Sequence, residues 1–306
     1  MSTQRRCRVR NISGIVVLDK ANGLSSNAAL QEVKRLYEAN KAGHAGSLDP
    51  LATGVLPVCL GEATKVSQFL LDSDKCYRAR IKLGIRTDTG DSEGSIIERN
   101  AGISVSRKAI ERALTKFKGE IEQVPPMHSA IKMNGVPLYK LARKGIAVER
   151  KPRLVTLYQV CLLEFVNSEL ELEISCSKGT YIRTIADDLG QELGCGAHVI
   201  ELRRTQAGVF TEKDSISAEE LALEKEKNRG LDKIDQFLIP MDRAIQDLPE
   251  VNLPSITASH VKNGQAVLVR HLPKNGLVRM YEDEQFIGIG SIDDDGKVAP
   301  RRLIIN

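Results

Sequence analysis

A chain of 306 residues, 42% hydrophobic and 27% charged, is long enough to bury a sizeable core or to split into two domains. Its longest apolar runs, such as Ile15 to Leu18 and Val55 to Leu60, are too short or too broken to span a bilayer. A net charge of +4 permits a polyanionic partner without demanding one. The opening MSTQRRCRVR reads as a short basic arm rather than a secretory signal, because no apolar stretch follows its arginines. Six cysteines (7, 59, 76, 161, 176, 195) and five histidines show no metal-ligand spacing. Reduced thiols in a cytoplasmic protein, with no structural zinc and no disulfide, are therefore expected.

In chain order, Gly14 to Leu18 reads as a buried strand. Ser25 or Ser26 then caps a helix whose Leu30, Val33, Leu36 and Tyr37 share one face and which ends near Asn40. The loop that follows carries glycines at 43, 46 and 54 and the dipeptide Asp49-Pro50. This is ordinary turn chemistry, and it can equally hold one carboxylate in a fixed place. Val55 to Leu60 is the next strand, and a helix is expected from about Glu62 to Leu71.

Lys75 to Leu83 alternates, with Tyr77, Ala79, Ile81 and Leu83 on one face; Tyr77 is either a core aromatic or within reach of a cleft. The acidic Thr87 to Gly94 lacks EF-hand offsets and reads as a solvated turn. Ser106 to Lys118 is an amphipathic helix. Residues 121–153 form a basic, turn-rich insertion, a surface flap whose Lys132, Lys140, Arg143 and Lys144 suit the gripping of phosphates.

Alternating strands follow at Val155 to Val166 and Glu169 to Cys176. The junction Ser177 to Thr184 leads into a helix through Leu193, and Val199 to Val209 is a strand with Leu202 inward. Ser215 to Glu226 is a peripheral charged helix, and Pro249 to Pro254 marks a boundary. Beyond it come a short helix ending at Lys262-Asn263-Gly264 and strands at Ala266 to Val269, Leu277 to Tyr281, Phe286 to Ser291 and Leu303 to Ile305. Such spacing suggests a small β-barrel.

The run Gly43-His44-Ala45-Gly46-Ser47-Leu48-Asp49-Pro50-Leu51-Ala52-Thr53-Gly54 closely resembles the active-site loop of the TruB family of tRNA pseudouridine synthases. The similarity extends through Pro125-Pro126-Met127-His128-Ser129-Ala130-Ile131-Lys132 and over almost the full chain. His128 stands where that family's pattern has an aromatic, and Ala45 and Ser47 stand where threonines are usual.

The resemblance implies an α+β fold: a mixed sheet flanked by helices, a thumb-like insertion at 121–153, and a small C-terminal PUA-like β-barrel. The expected division is a catalytic domain over 1–248 and an RNA-binding module over 249–306. The implied reaction turns uridine into pseudouridine at position 55, in the T loop of tRNA, by base flipping. It needs no metal or organic cofactor and no obligate protein partner. Asp49 would be the catalytic aspartate, Arg183 its partner, and Tyr77 the ring that stacks on uracil. His44, Tyr181 and Leu202 would line the base site. Read without the family, Arg183 is equally a surface helical arginine and His44 a structural histidine. A tRNA-binding chaperone would share the flap and barrel and would not need Asp49.

Overall fold

A computed structural model describes residues 9–100, 104–227, 231–270, 272 and 275–304. Of the basic arm expected at residues 1–10, residues 1–8 lie outside them. The chain runs β1 (Gly14–Lys20), α1 (Ser26–Leu36), β2 (Ala42–His44), β3 (Thr53–Leu60), α2 (Ser67–Asp72), β4 (Lys75–Leu83), β5 (Ile85–Thr87), β6 (Ile96–Arg99), α3 (Arg107–Leu114) and β7 (Gly119–Gln123). The flap holds β8 (Lys132–Met133), β9 (Val136–Pro137) and α4 (Leu138–Ala142). Then come β10 (Arg153–Val166), β11 (Glu169–Cys176), α5 (Ile182–Glu192), β12 (Ala197–Ala207), β13 (Phe210–Thr211), α6 (Ala218–Lys227) and α7 (Asp232–Asp235). The last stretch is β14 (Glu250–Asn252), α8 (Ser255–Lys262), β15 (Val267–Leu268), β16 (Gly276–Glu282), β17 (Gln285–Ile292) and β18 (Lys297–Leu303).

A nine-stranded mixed sheet carries the site, in the order β1-β3-β12-β4-β11-β10-β7, with β2 on β3 and β13 on β12. Its long pairs are antiparallel, except that β12 meets β3 in parallel through Arg203 opposite Thr53 and Arg204 opposite Gly54. Both faces of β1 and β3 are covered: Val16 and Leu18 join one apolar cluster while Ile15 and Val17 join another. That explains why both strands read as apolar runs rather than as alternating patterns. On β4 and β11 only one face is buried, beneath α1, α3 and α5, and the other is charged, so these sequences alternate.

The second sheet, β14-β16-β17-β18-β15, is curled and PUA-like, with a cluster of its own around Val278, Met280 and Val298. Ile289 packs into the cluster behind β1 and β3, and Lys65 Nζ donates to the Leu303 carbonyl at 2.6 Å, so the two sheets are joined by packing and by hydrogen bonding.

Several boundaries differ from the sequence reading, each for a local reason. Ser25 is the N-cap of α1, accepting from Ala28 N–H at 3.1 Å, a contact worth about 1 kcal/mol. The helix stops at Leu36 because Glu38 takes a left-handed φ of 53°. The helix expected over 62–71 is a 3₁₀ turn, Gly61–Lys65, followed by α2. In the flap, Asn134 and Gly135 both have positive φ and close the β8–β9 hairpin, as an Asn-Gly pair favours. A strand runs over Lys297–Leu303, before most of the strand expected at Leu303 to Ile305, whose last residue lies outside the described ones. Pro300 and two arginines hid it; the register shifts between Ile289 and Gly290, where a proline within a paired strand is tolerated.

Gly54 makes the β3–β12 contact possible. Its φ is +97°, and a Cβ there would lie 2.3 Å from the Arg204 carbonyl oxygen. Gly54→Ala is expected to cost about 2–4 kcal/mol through backbone strain and forced separation of the strands. Urea denaturation should show the loss as a lower midpoint.

Candidate active site

The Asp49 loop is fastened on both sides of its aspartate. Before it, the buried Ser26 hydroxyl donates to Leu48 O at 2.8 Å and accepts from Leu48 N–H at 2.7 Å. After it, the Lys20 ammonium, 1% exposed, donates to the carbonyls of Ala21, Leu24 and Pro50 at 2.8, 2.6 and 3.2 Å. Gly23 N–H also donates to Pro50 O at 2.9 Å. Further back, the fully buried Arg204 donates through Nε to Val55 O at 2.7 Å and through Nη2 to Gly46 O at 3.0 Å. Lys20 is held in this dry position at a cost: burial lowers its pKa to about 8.

Arg183 projects from the first turn of α5 and is 4% exposed. Its Nε donates to Asp49 Oδ2 at 2.8 Å and its Nη2 to Asp49 Oδ1 at 3.2 Å, a two-point fork that fixes the plane of the carboxylate. The remaining donors reach Thr89 O at 2.7 Å and His128 O at 2.8 Å. Asp49 itself keeps a side-chain exposure of 38%, so the fork orients it without closing it off.

Asp91 is the residue that sequence reasoning missed. The stretch read as a solvated turn places it at 3% exposure, with Oδ2 3.6 Å from Arg183 Nε. Its Oδ1 accepts from the Thr89 hydroxyl at 2.6 Å and from Glu93 N–H at 3.1 Å. Thr89-Gly90-Asp91 by itself is ordinary turn chemistry, because the cation that offsets burial of the carboxylate is not local. That cation is 92 positions away in the chain.

Tyr77 sits opposite Arg204 across the β4–β12 pair and is 9% exposed. Burial raises its pKa, with Arg204 opposing, so its phenol is protonated at neutral pH. Tyr181 precedes α5; burial raises its pKa as well, and Asp49 and Arg183 are both close enough to act on it. His44 lies on β2 with its pKa lowered by burial and by the Arg204 charge. Its buried Nδ1 has no hydrogen-bond partner among the described residues. Leu202, 7% exposed, lines a cleft of about 260 Å³ with Leu51, Thr53, Arg78 and Arg203.

Asp49 is thus within electrostatic reach of Arg183, Tyr77 and Tyr181, and Arg204 is within reach of Tyr77 and His44, while the cleft that Leu202 lines holds none of these side chains. Lys132, Lys140, Arg143 and Lys144 do not join this group. All four are exposed on the flap, and none forms an ion pair with a described residue. What the flap brings to the centre is the main-chain carbonyl of His128, so the absence of an aromatic at that position leaves the contact with Arg183 intact. Among the described residues no group of three metal-ligating side chains converges, and the five described cysteines are free. No helix among them is long and apolar enough to cross a membrane.

A neutral His44 has a consequence for stability. The unfolded chain binds a proton near pH 6.5 and the folded chain only lower, so stability is expected to fall as pH drops below about 6.5. His44→Gln should remove that part of the slope. Chemical denaturation at pH 7.5, 6.0 and 5.0 compares the two proteins; parallel slopes would show that His44 carries none of it.

Residues 34–182 match the TruB family pseudouridylate synthase N-terminal domain. Residues 183–246 match the tRNA pseudouridylate synthase B C-terminal domain, and 249–304 match Pseudouridine synthase II TruB, C-terminal. A tRNA pseudouridine synthase B of Tolumonas auensis is 53% identical over 99% of this chain and 96% of its own length. One from Serratia proteamaculans is 53% identical over 100% and 99%. Among solved structures, a Cbf5-Nop10-Gar1 complex contains a chain 27% identical, superposing with a TM-score of 0.73 over 96% of this chain and 84% of that one. With the fold, the aspartate loop and full-length similarity in agreement, the chain belongs to the TruB family of pseudouridylate synthases.

Proposed function

We propose that this enzyme isomerises uridine to pseudouridine in the T loop of tRNA, at position 55. The observation that carries the reading is the Asp49–Arg183 fork at the end of a loop held rigid from both sides. The name shared by the relatives in Tolumonas and Serratia supports tRNA as the substrate.

The target base leaves its stack and enters the pocket, a step that costs a few kcal/mol and is recovered by contacts there. Asp49 acts on the bound nucleotide as nucleophile or as the base that assists bond cleavage. The bond from ribose C1′ to uracil N1 breaks, the ring turns, and a bond from C1′ to C5 forms. The proton on C5 departs and N1 gains one, so the change is redox-neutral.

Tyr77 stacks on the ring and assists the departure of the C5 proton. Tyr181, Leu202 and His44 line the pocket and retain the detached ring while it turns. The cations Lys132, Lys140, Arg143 and Lys144 on the 121–153 flap bind phosphates of the T arm. The PUA-like unit over 249–306 holds a more distant part of the tRNA, while 1–248 performs the chemistry. RNA shape and a splayed loop base guide selection more than helix-edge reading. Free thiols suit a cytoplasmic setting.

Wild-type protein is expected to release tritium from ring carbon 5 of labelled uridine in tRNA at one equivalent per tRNA, with pseudouridine at position 55 and no free uracil. Tight tRNA binding without tritium release would leave an RNA chaperone, and free uracil would mark a base-excising enzyme.

A further inference from the structure

We infer that Gln123, at the root of the flap, is a positioning residue that sets Tyr181 and, through the first turn of α5, the Arg183–Asp49 fork. The inference rests on the reading of Asp49 as the reacting group. Gln123 is the last residue of β7 and pairs with Arg153, the first residue of β10, so these two positions are where the flap leaves and rejoins the sheet. Its side chain is not part of the strand ladder. It is 2% exposed and turned to a single residue, Tyr181: Oε1 accepts from Tyr181 N–H at 2.7 Å and Nε2 donates to Tyr181 O at 3.1 Å.

Tyr181 is the N-cap of α5, yet its own side chain makes no capping bond. Its carbonyl takes the opening helical bonds, from Thr184 N–H at 3.1 Å and Ile185 N–H at 3.2 Å. The Gln123 amide grips both main-chain groups of this residue at once, as a neighbouring strand would. Only a planar group with one donor and one acceptor at this reach can do so; glutamate lacks the donor, methionine lacks both, and asparagine is a methylene short.

Two residues further on stands Arg183, whose guanidinium also receives the flap through His128 O at 2.8 Å. The start of α5 is thus clamped to the flap at two points, and the amide of Gln123 fixes where the fork on Asp49 stands. A shift of about 1 Å in such a group is enough to cost about a hundredfold in rate.

The test measures single-turnover tritium release at saturating labelled tRNA, tRNA affinity by filter binding, and the thermal midpoint, for the full-length wild type, Asp49→Asn, Gln123→Met and Gln123→Glu. The expected result is a saturated rate reduced about ten- to a hundredfold in both Gln123 variants, with affinity within about twofold of wild type. A purely structural Gln123 would lower the midpoint and leave the saturated rate of the folded protein within twofold, which would overturn the inference. If the methionine variant does not fold, the glutamate variant, which keeps the shape and the accepting oxygen, decides by the same criterion. An inactive wild type, or an active Asp49→Asn, would remove the reading of Asp49 and this inference with it, whereas an active wild type, an inactive Asp49→Asn and unimpaired Gln123 variants would overturn this inference alone.

Discussion

Asp49→Asn is expected to abolish turnover while tRNA binding is retained. The substitution keeps the size of the side chain and one accepting oxygen, and replaces the other oxygen with an NH₂ that faces the Arg183 donors. An amide is neither a competent nucleophile nor a base, so the loss should be about ten-thousandfold or more, the scale seen when a reacting group is removed. Because the side chain lies in a loop fastened through its backbone at Gly46, Leu48 and Pro50, the fold should survive. Tritium release and a tRNA titration on the same preparation check both halves. Turnover within tenfold of wild type would remove Asp49 from the chemistry.

Arg183→Met comes second in expected effect. The guanidinium makes four hydrogen bonds, two to Asp49 and one each to Thr89 O and His128 O. Methionine fills much of the volume and supplies none of them. Asp49 would lose its fixed plane, and the rate should fall roughly a hundred- to a thousandfold, the scale of losing preorganised donors. Stability should fall as well, because Asp91, with a side chain 5% exposed, would be left as a buried charge without its cation. That stranding costs about 2–4 kcal/mol, below the range for a wholly buried pair because Asp49 is partly solvated. Arg183→Lys should rescue little, since a point charge cannot span two carboxylate oxygens and two carbonyls. A variant that changed affinity alone would make Arg183 an RNA contact.

Much of this architecture is written locally. The short apolar runs of β1 and β3, the alternation in β4 and β11, and the Asn-Gly pair of the flap hairpin each encode their element in a few adjacent residues. The aspartate loop was legible for the same reason, as glycines and a proline at fixed offsets dictate a bend. What stayed hidden depends on partners far along the chain. Asp91 reads as one more acid in a polar turn until α5 delivers Arg183 beside it. Gln123 reads as one more polar residue of a turn-rich flap until Tyr181 arrives 58 positions later. Lys20 and Arg204 adjoin apolar segments, and nothing in their neighbours marks either as buried. Their burial is decided by carbonyl groups that only the assembled loop presents, and no pattern of side chains announces a backbone acceptor.

The fastening of residues 46–50 by Arg204, Ser26 and Lys20 assigns the work of rearrangement to one side of the encounter. On the proposed reaction, a carboxylate on so stiff a mount cannot travel to meet a stacked nucleotide, so the nucleic acid would do the moving and present its base at that spot. Selectivity then becomes a question of which hairpins surrender a pyrimidine cheaply, and an RNA locked by extra cross-strand pairs would be refused however well its letters matched.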